Sequence, residues 1–207
     1  MKSIQSKVFT VFGVVLILCA VGITAHNIYD ASRAEKTANA VSSQLKAEIT
    51  TIMQNTDEMP ENEPELPVWV LNPDMEMPVK TIDGRDYIGL LEIPVFGISL
   101  PVLSELTDSG LKISPARYKG SVYSDDLIVA AHNYMSQFSN LKNLSQGDEV
   151  IFTDIEGNVF RYSVASIEML LPTAVEEMES GYWDLTLFTC TLGAGYRVTV
   201  RCDRVFS

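Results

Sequence analysis

A chain of 207 residues is long enough for one domain with accessory segments. Its 15 Lys and Arg stand against 27 Asp and Glu, a formal net charge of −12, and the cations are scattered. This excludes a nucleic-acid surface, which needs a concentrated basic patch for phosphate.

Val8 to Ala25 carries no charge and is apolar apart from Thr10 and Thr24. Such a run of about 18 residues is just long enough to cross a bilayer as a helix. Lys2 and Lys7 precede it, and the positive-inside rule then keeps residues 1–7 in the cytoplasm and sends the rest outside. A cleaved signal peptide is the rival reading, but its apolar region is usually ~7 to 15 residues. The uncleaved anchor over 8–25 is the expectation. Cys19 follows Leu18 rather than a small residue, so it reads as an inert helix residue and not as a lipidation site.

From His26 to about Asn55, Ala, Lys, Glu and Gln predict a helix whose apolar spacing is weak. Asp57 to Glu65 reads DEMPENEPE, with five acidic residues, two Pro and no Lys or Arg. That composition keeps a segment solvated and extended, as in a stalk. Calcium binding by these carboxylates is the lesser reading, because the segment lacks a calcium-loop pattern. Residues 26–80 are therefore read as an extracellular linker and residues 81–207 as the globular domain.

Within that domain, strands are expected at Tyr87–Ile93, Ile98–Val102, Leu127–Ala131, Glu149–Thr153 and Val159–Leu170. The last two flank Asp154-Ile155-Glu156-Gly157-Asn158, a hairpin signal. Phe138–Leu144 and Thr173–Met178 suit short helices. With the hairpin described next, about seven strands and few helices make an all-β barrel the natural fold class.

Asp184 to Arg204, DLTLFTCTLGAGYRVTVRCDR, is two alternating runs joined by a Gly-containing turn. If it closes symmetrically about Thr191 to Tyr196, Leu187 lies opposite Val200 and Leu185 opposite Cys202 on one apolar face. Cys190 then lies opposite Arg197 on the other face. A thiol beside a fixed cation is a candidate nucleophile, because the thiolate is the reactive form. It needs a proton partner. His26 falls beside the apolar N-terminal run, which leaves His132, at the end of the apolar strand Leu127–Ala131. The two His and three Cys show no ligand spacing, so no metal site is expected, and Gly193 and Gly195 are turn residues with no following helix to make a phosphate loop. No cofactor is expected.

These residues resemble the sortases, cysteine transpeptidases of Gram-positive cell surfaces. The family pattern TLxTC appears as Thr186-Leu187-Phe188-Thr189-Cys190, followed by Arg197-Val198-Thr199-Val200, with Ala131-His132-Asn133 upstream. Tyr87-Ile88-Gly89-Leu90-Leu91-Glu92-Ile93-Pro94 and Leu100-Pro101-Val102 resemble the family's first strand and its sequel. The resemblance spans roughly Asp86 to Phe206. It implies a closed sortase barrel of seven or eight strands, with Cys190 as nucleophile, His132 as general acid/base and Arg197 holding the reacting carbonyl. Thr189 and Tyr134 are further candidates to line the site.

The implied activity is cleavage of a C-terminal sorting signal in surface proteins through a thioacyl intermediate. The acyl group then passes to an amine of cell-wall precursor or of another protein. The connection Thr191–Tyr196 is short, and Asn72-Pro73-Asp74 only faintly echoes the Asp-Pro-aromatic lid motif of pilus-building sortases, so the resemblance leans to class D-like or class B-like enzymes. Two alternatives stay open: a surface cysteine peptidase using water as acceptor, and a non-catalytic anchored barrel that binds surface proteins.

Overall fold

A computed structural model describes residues 2–57 and 67–206 of the chain. The N-terminal uncharged run and the helical region after it form one continuous helix, α1 (Lys2–Asp57), of 56 residues. At 1.5 Å per residue it is about 84 Å long. Ala34, Ala38, Val41, Leu45 and Ile49 are all buried, three or four residues apart, and make one stripe. The stripe reads weakly in the sequence because two of its positions are Ala, which add little hydrophobicity but let a backbone come close. Val41, Leu45 and Ile49 pack on Ile82, Tyr87, Leu90, Leu103 and Ala116 of the barrel wall. Past Asp57, the acidic stretch read as a stalk lies outside the described residues.

After the short helix α2 (Val68–Leu71), nine strands follow: β1 (Lys80–Ile82), β2 (Arg85–Ile93), β3 (Ile98–Leu103), β4 (Ala116–Lys119), β5 (Leu127–Ala131), β6 (Glu149–Asp154), β7 (Val159–Leu170), β8 (Leu185–Cys190) and β9 (Arg197–Val205). Two more short helices interrupt them, α3 (Asp108–Leu111) between β3 and β4 and α4 (Val175–Glu179) between β7 and β8. The sheet runs β1-β2-β3-β4-β5-β8-β9-β7-β6, and a β2–β6 pairing closes strands β2 to β9 into an eight-stranded barrel. At that seam Gly89 faces Asp154, and a Cβ on Gly89 would fall 2.2 Å from Thr153 O. The close crossing requires glycine there.

Five predicted strands and both hairpins are present, with ends shifted by a residue or two. Two strands escaped the sequence reading: β1, three residues beside β2, and β4, whose Ala-Arg-Tyr-Lys has no apolar alternation. The predicted helix at Phe138–Leu144 is only a 3₁₀ turn at Leu141–Asn143, and the one at Thr173–Met178 appears as α4.

The barrel interior is filled by inward-facing side chains such as Leu91, Val102, Val129, Leu187, Val200 and Cys202. Trp69 stacks on Tyr123 at 5.7 Å, and Met77 is buried in the same core, so the chain between α2 and β1 lies against the barrel. A separate outer cluster joins Ile128, Ala130 and Phe188 to Met178 of α4. Two of the strands under it, β5 and β8, run parallel and side by side. Their shared C-terminal end is where the candidate residues meet.

Candidate active site

β8 and β9 pair antiparallel with Leu185 opposite Cys202, Leu187 opposite Val200, and Cys190 opposite Arg197. The register expected from apolar pairing is the one observed, since a one-residue slip would turn Leu185 and Leu187 out of the core. The connection is held by Thr191 and Tyr196: Thr191 N–H donates to Tyr196 O at 2.8 Å, and Tyr196 N–H donates to Thr191 Oγ1 at 3.1 Å. Gly193 (φ 82°) and Ala194 (φ 55°) take the left-handed conformations that reverse the chain. Cys190 ends its strand exposed, whereas Cys202 is fully buried.

The parallel pairing of β5 with β8 sets Ala131 beside Thr189, so His132 leaves its strand next to Cys190. The tie is explicit: Thr189 Oγ1 donates to Ala131 O at 2.8 Å. His132 N–H donates to Oε1 of the buried Gln137 at 3.0 Å, which folds the following loop back on the histidine. Burial holds the imidazole below its ordinary range, the Lys112 cation adds to the depression, and Asp108 opposes it. A half-buried His132 is therefore mostly neutral at pH 7.

Arg197 completes the cluster. Its Cζ lies 5.3 Å from the centre of the Phe188 ring, on the Cys190 face of β8. Its Nε and Nη1 are buried and have no hydrogen-bond partner among the described residues. Leaving such donors unpaired costs about 1 to 3 kcal/mol each. A carbonyl oxygen near Cys190 is the acceptor they could take. Together the three residues bring a thiol, a mostly neutral imidazole and a guanidinium with two unpartnered donors to one end of the sheet.

The model of the sortase domain matches residues 91–205, more than half of the chain. This chain belongs to the sortase family. Sortase A of Bacillus anthracis is 30% identical over 125 residues, which span 57% of this chain and 59% of that protein. The match thus covers less than two thirds of the curated relative's length. The crystal structure of sortase C1 from Streptococcus agalactiae superposes with a TM-score of 0.54 at 25% identity, covering 72% of this chain and 80% of that one. A Clostridium perfringens sortase D5 transpeptidase gives a TM-score of 0.56 at 17% identity, covering 84% and 99%, a likeness of fold alone.

In this sortase the two further candidates take different places. Tyr134 lies beside the histidine, its ring centre 5.0 Å from that of His132, and burial followed by the Asp30 charge raises its phenol above the usual range. Thr189 is buried, and its hydroxyl is engaged in tying β8 to β5.

The hairpin register already sets Arg201 opposite Thr186, as observed, but sequence reading missed how Arg201 holds α4 beside the site. Arg201 is 2% exposed and all three of its nitrogens are used. Nε donates to Glu168 Oε1 at 2.6 Å, Nη1 to Met178 O at 2.9 Å and Thr186 Oγ1 at 3.1 Å, and Nη2 to Glu177 O at 2.5 Å. Arg201 thus caps the carbonyls of α4 and holds Met178 on Ile128, Ala130 and Phe188. On the far side, Lys119 pairs with Glu179 at 2.5 Å and Tyr118 Oη donates to the same carboxylate at 3.2 Å. Only the folded chain brings these groups within reach, so no local pattern announces them. Gln137 is equally silent in the sequence.

Proposed function

We propose that this sortase is a membrane-anchored, extracellular cysteine transpeptidase acting on the C-terminal sorting signal of surface proteins. The observation that carries the reading is the register that faces Cys190 with the unpartnered donors of Arg197 while the parallel β5 sets His132 alongside.

The chemistry follows from those three groups. Cys190 Sγ attacks the carbonyl carbon of a backbone amide, and neutral His132 takes the thiol proton as the S–C bond forms. Arg197 donates hydrogen bonds to the carbonyl oxygen as negative charge develops on it, a contribution of about 3 to 4 kcal/mol to the transition state. The C–N bond then breaks and His132 returns the proton to the leaving amine, leaving a thioester on Cys190. An amine of cell-wall precursor or of another protein attacks the thioester, losing its proton to His132, and the thiol is restored. Tyr134 positions the imidazole.

The anchor is Val8–Ala25 within α1, which the mean hydropathy of 2.6 over an 18-residue stretch of that helix supports; Lys2 and Lys7 ahead of it favour residues 1–7 inside the cell and the barrel outside.

Intact-mass spectrometry of the enzyme with peptides carrying candidate sorting signals tests the chemistry. A mass increase on Cys190 is expected, with discharge accelerated by an added amine. Release of free acid at the same rate with and without amine would make the protein a hydrolase. Externally added protease that degrades known surface proteins but spares the barrel would reverse the topology.

A further inference from the structure

The rim of the site meets the helix read as the anchor. The α1 stripe that packs on the barrel continues toward the N-terminus through Ala31, Ile28 and Thr24 at the same spacing. These residues and Asn133, Tyr134 and Met135, just after His132, line one depression of about 450 Å³. A second depression of about 710 Å³ leads on from Met135 to Thr189 and Leu192, on either side of Cys190. The two depressions share Asn133 and Met135, so they adjoin.

Helix geometry sets how far this rim stands from the bilayer. The α1 residues bordering the His132 loop run from Thr24 to Glu35. At 1.5 Å per residue, Ile28, which lines that depression, lies only about 5 Å beyond Ala25, where the uncharged run ends. A headgroup layer is about 5 to 7 Å thick on each side of the hydrocarbon. The rim therefore reaches the layer, and what it presents suits that environment. Met135 is 75% exposed and Leu192 92%, and on α1 itself Ile28 and Tyr29 are 65% and 66% exposed. Lys142 shares the second depression with Met135 and Leu192, Glu35 lines the first, and Arg33, Arg85 and Lys112 border a third together with Asp30 and Asp108. On a chain of net charge −12, cations beside exposed apolar side chains fit an acidic lipid surface.

We propose that the active-site rim docks into the headgroup layer of an acidic phospholipid bilayer through Met135 and Leu192, so that Cys190 faces along the membrane surface. The proposal rests on the anchor reading of α1.

The two native tryptophans provide the control. Trp183 precedes β8 at the end away from Cys190, about 20 Å along the strand, and Trp69 is packed against Tyr123 and Phe160. The full-length protein would be placed in nanodiscs of phosphatidylcholine and phosphatidylglycerol, with and without a lipid bearing a nitroxide near its headgroup. Wild-type emission is expected to be the same in both discs. Leu192→Trp and Met135→Trp, both at exposed loop positions that leave the core untouched, are expected to add emission that the nitroxide removes. Added tryptophans no more quenched than the native pair, in protein that stays in the discs, overturn the docking alone. Equal quenching of the native pair overturns the orientation. Wild-type protein that fails to remain in the discs overturns the anchor reading, and the docking with it.

Discussion

One hairpin carries two cysteines and two key arginines, and each pair has opposite fates. Cys190 is exposed at the strand end, while Cys202 faces the barrel interior, where burial pushes its thiol up to about 12. Arg197 has two buried donors without a partner among the described residues; Arg201, four residues further along β9, has every nitrogen engaged. Residue type therefore says little about role on this hairpin. What separates function from structure is whether the group's bonding capacity is already spent inside the fold.

The sharpest way to break this contrast is to remove the nucleophile. Cys190→Ala should abolish the thioacyl adduct in intact-mass spectra, since no second exposed thiol lies on the barrel. Next comes the free arginine: Arg197→Ala should lower kcat by about 10² to 10³ in single-turnover acylation. Arg197→Lys should recover only part of that, because an ammonium keeps the charge but loses the planar fork.

The satisfied arginine should behave differently. Arg201→Ala strips the carbonyls of α4 and should cost about 3 kcal/mol of stability in urea unfolding. In protein that remains folded, it should raise KM for a sorting peptide more than it lowers kcat, because Met178 loses its anchor. If acylation were slower in Arg201→Ala than in Arg197→Ala, the division drawn between the two would collapse. Cys202→Ser should cost about 1 to 3 kcal/mol for burying a hydroxyl among apolar neighbours, with turnover retained.

The smallest effect concerns pH. The native state holds His132 below its ordinary value, so below about pH 6.5 the unfolded chain binds a proton that the native one resists. Stability from this group is present above that pH and declines on acidification. His132→Gln should narrow the gap between the melting temperatures at pH 7 and pH 5.5 by roughly 2 °C or less. For the same reason the acid limb of kcat/KM should fall below pH 6.5, and an acid limb at or above pH 7 would contradict a His132 held below its ordinary value.

Legibility followed the range of the contacts. The β8–β9 register was readable because the two strands are six residues apart and their apolar alternation permits one alignment. Leu127–Ala131 was readable as a buried run ending at His132. In contrast, β4 was unreadable because its pairing partners, not its own Ala-Arg-Tyr-Lys pattern, make it a strand. The α1 stripe was obscured by Ala34 and Ala38, whose contribution is close approach.

By itself, then, the sequence determined the all-β class, the pairing of Cys190 with Arg197 and the uncharged run at the N-terminus, because each depends on local periodicity or composition. Only the tertiary structure decided that β5 and β8 run parallel with His132 beside Cys190, that Gln137 holds the histidine's backbone, and that Arg201 props α4 against Phe188. Those contacts join groups brought together by barrel closure. Their energies depend on burial and on which hydrogen-bond partners remain, quantities that exist only once the sheet has closed on itself.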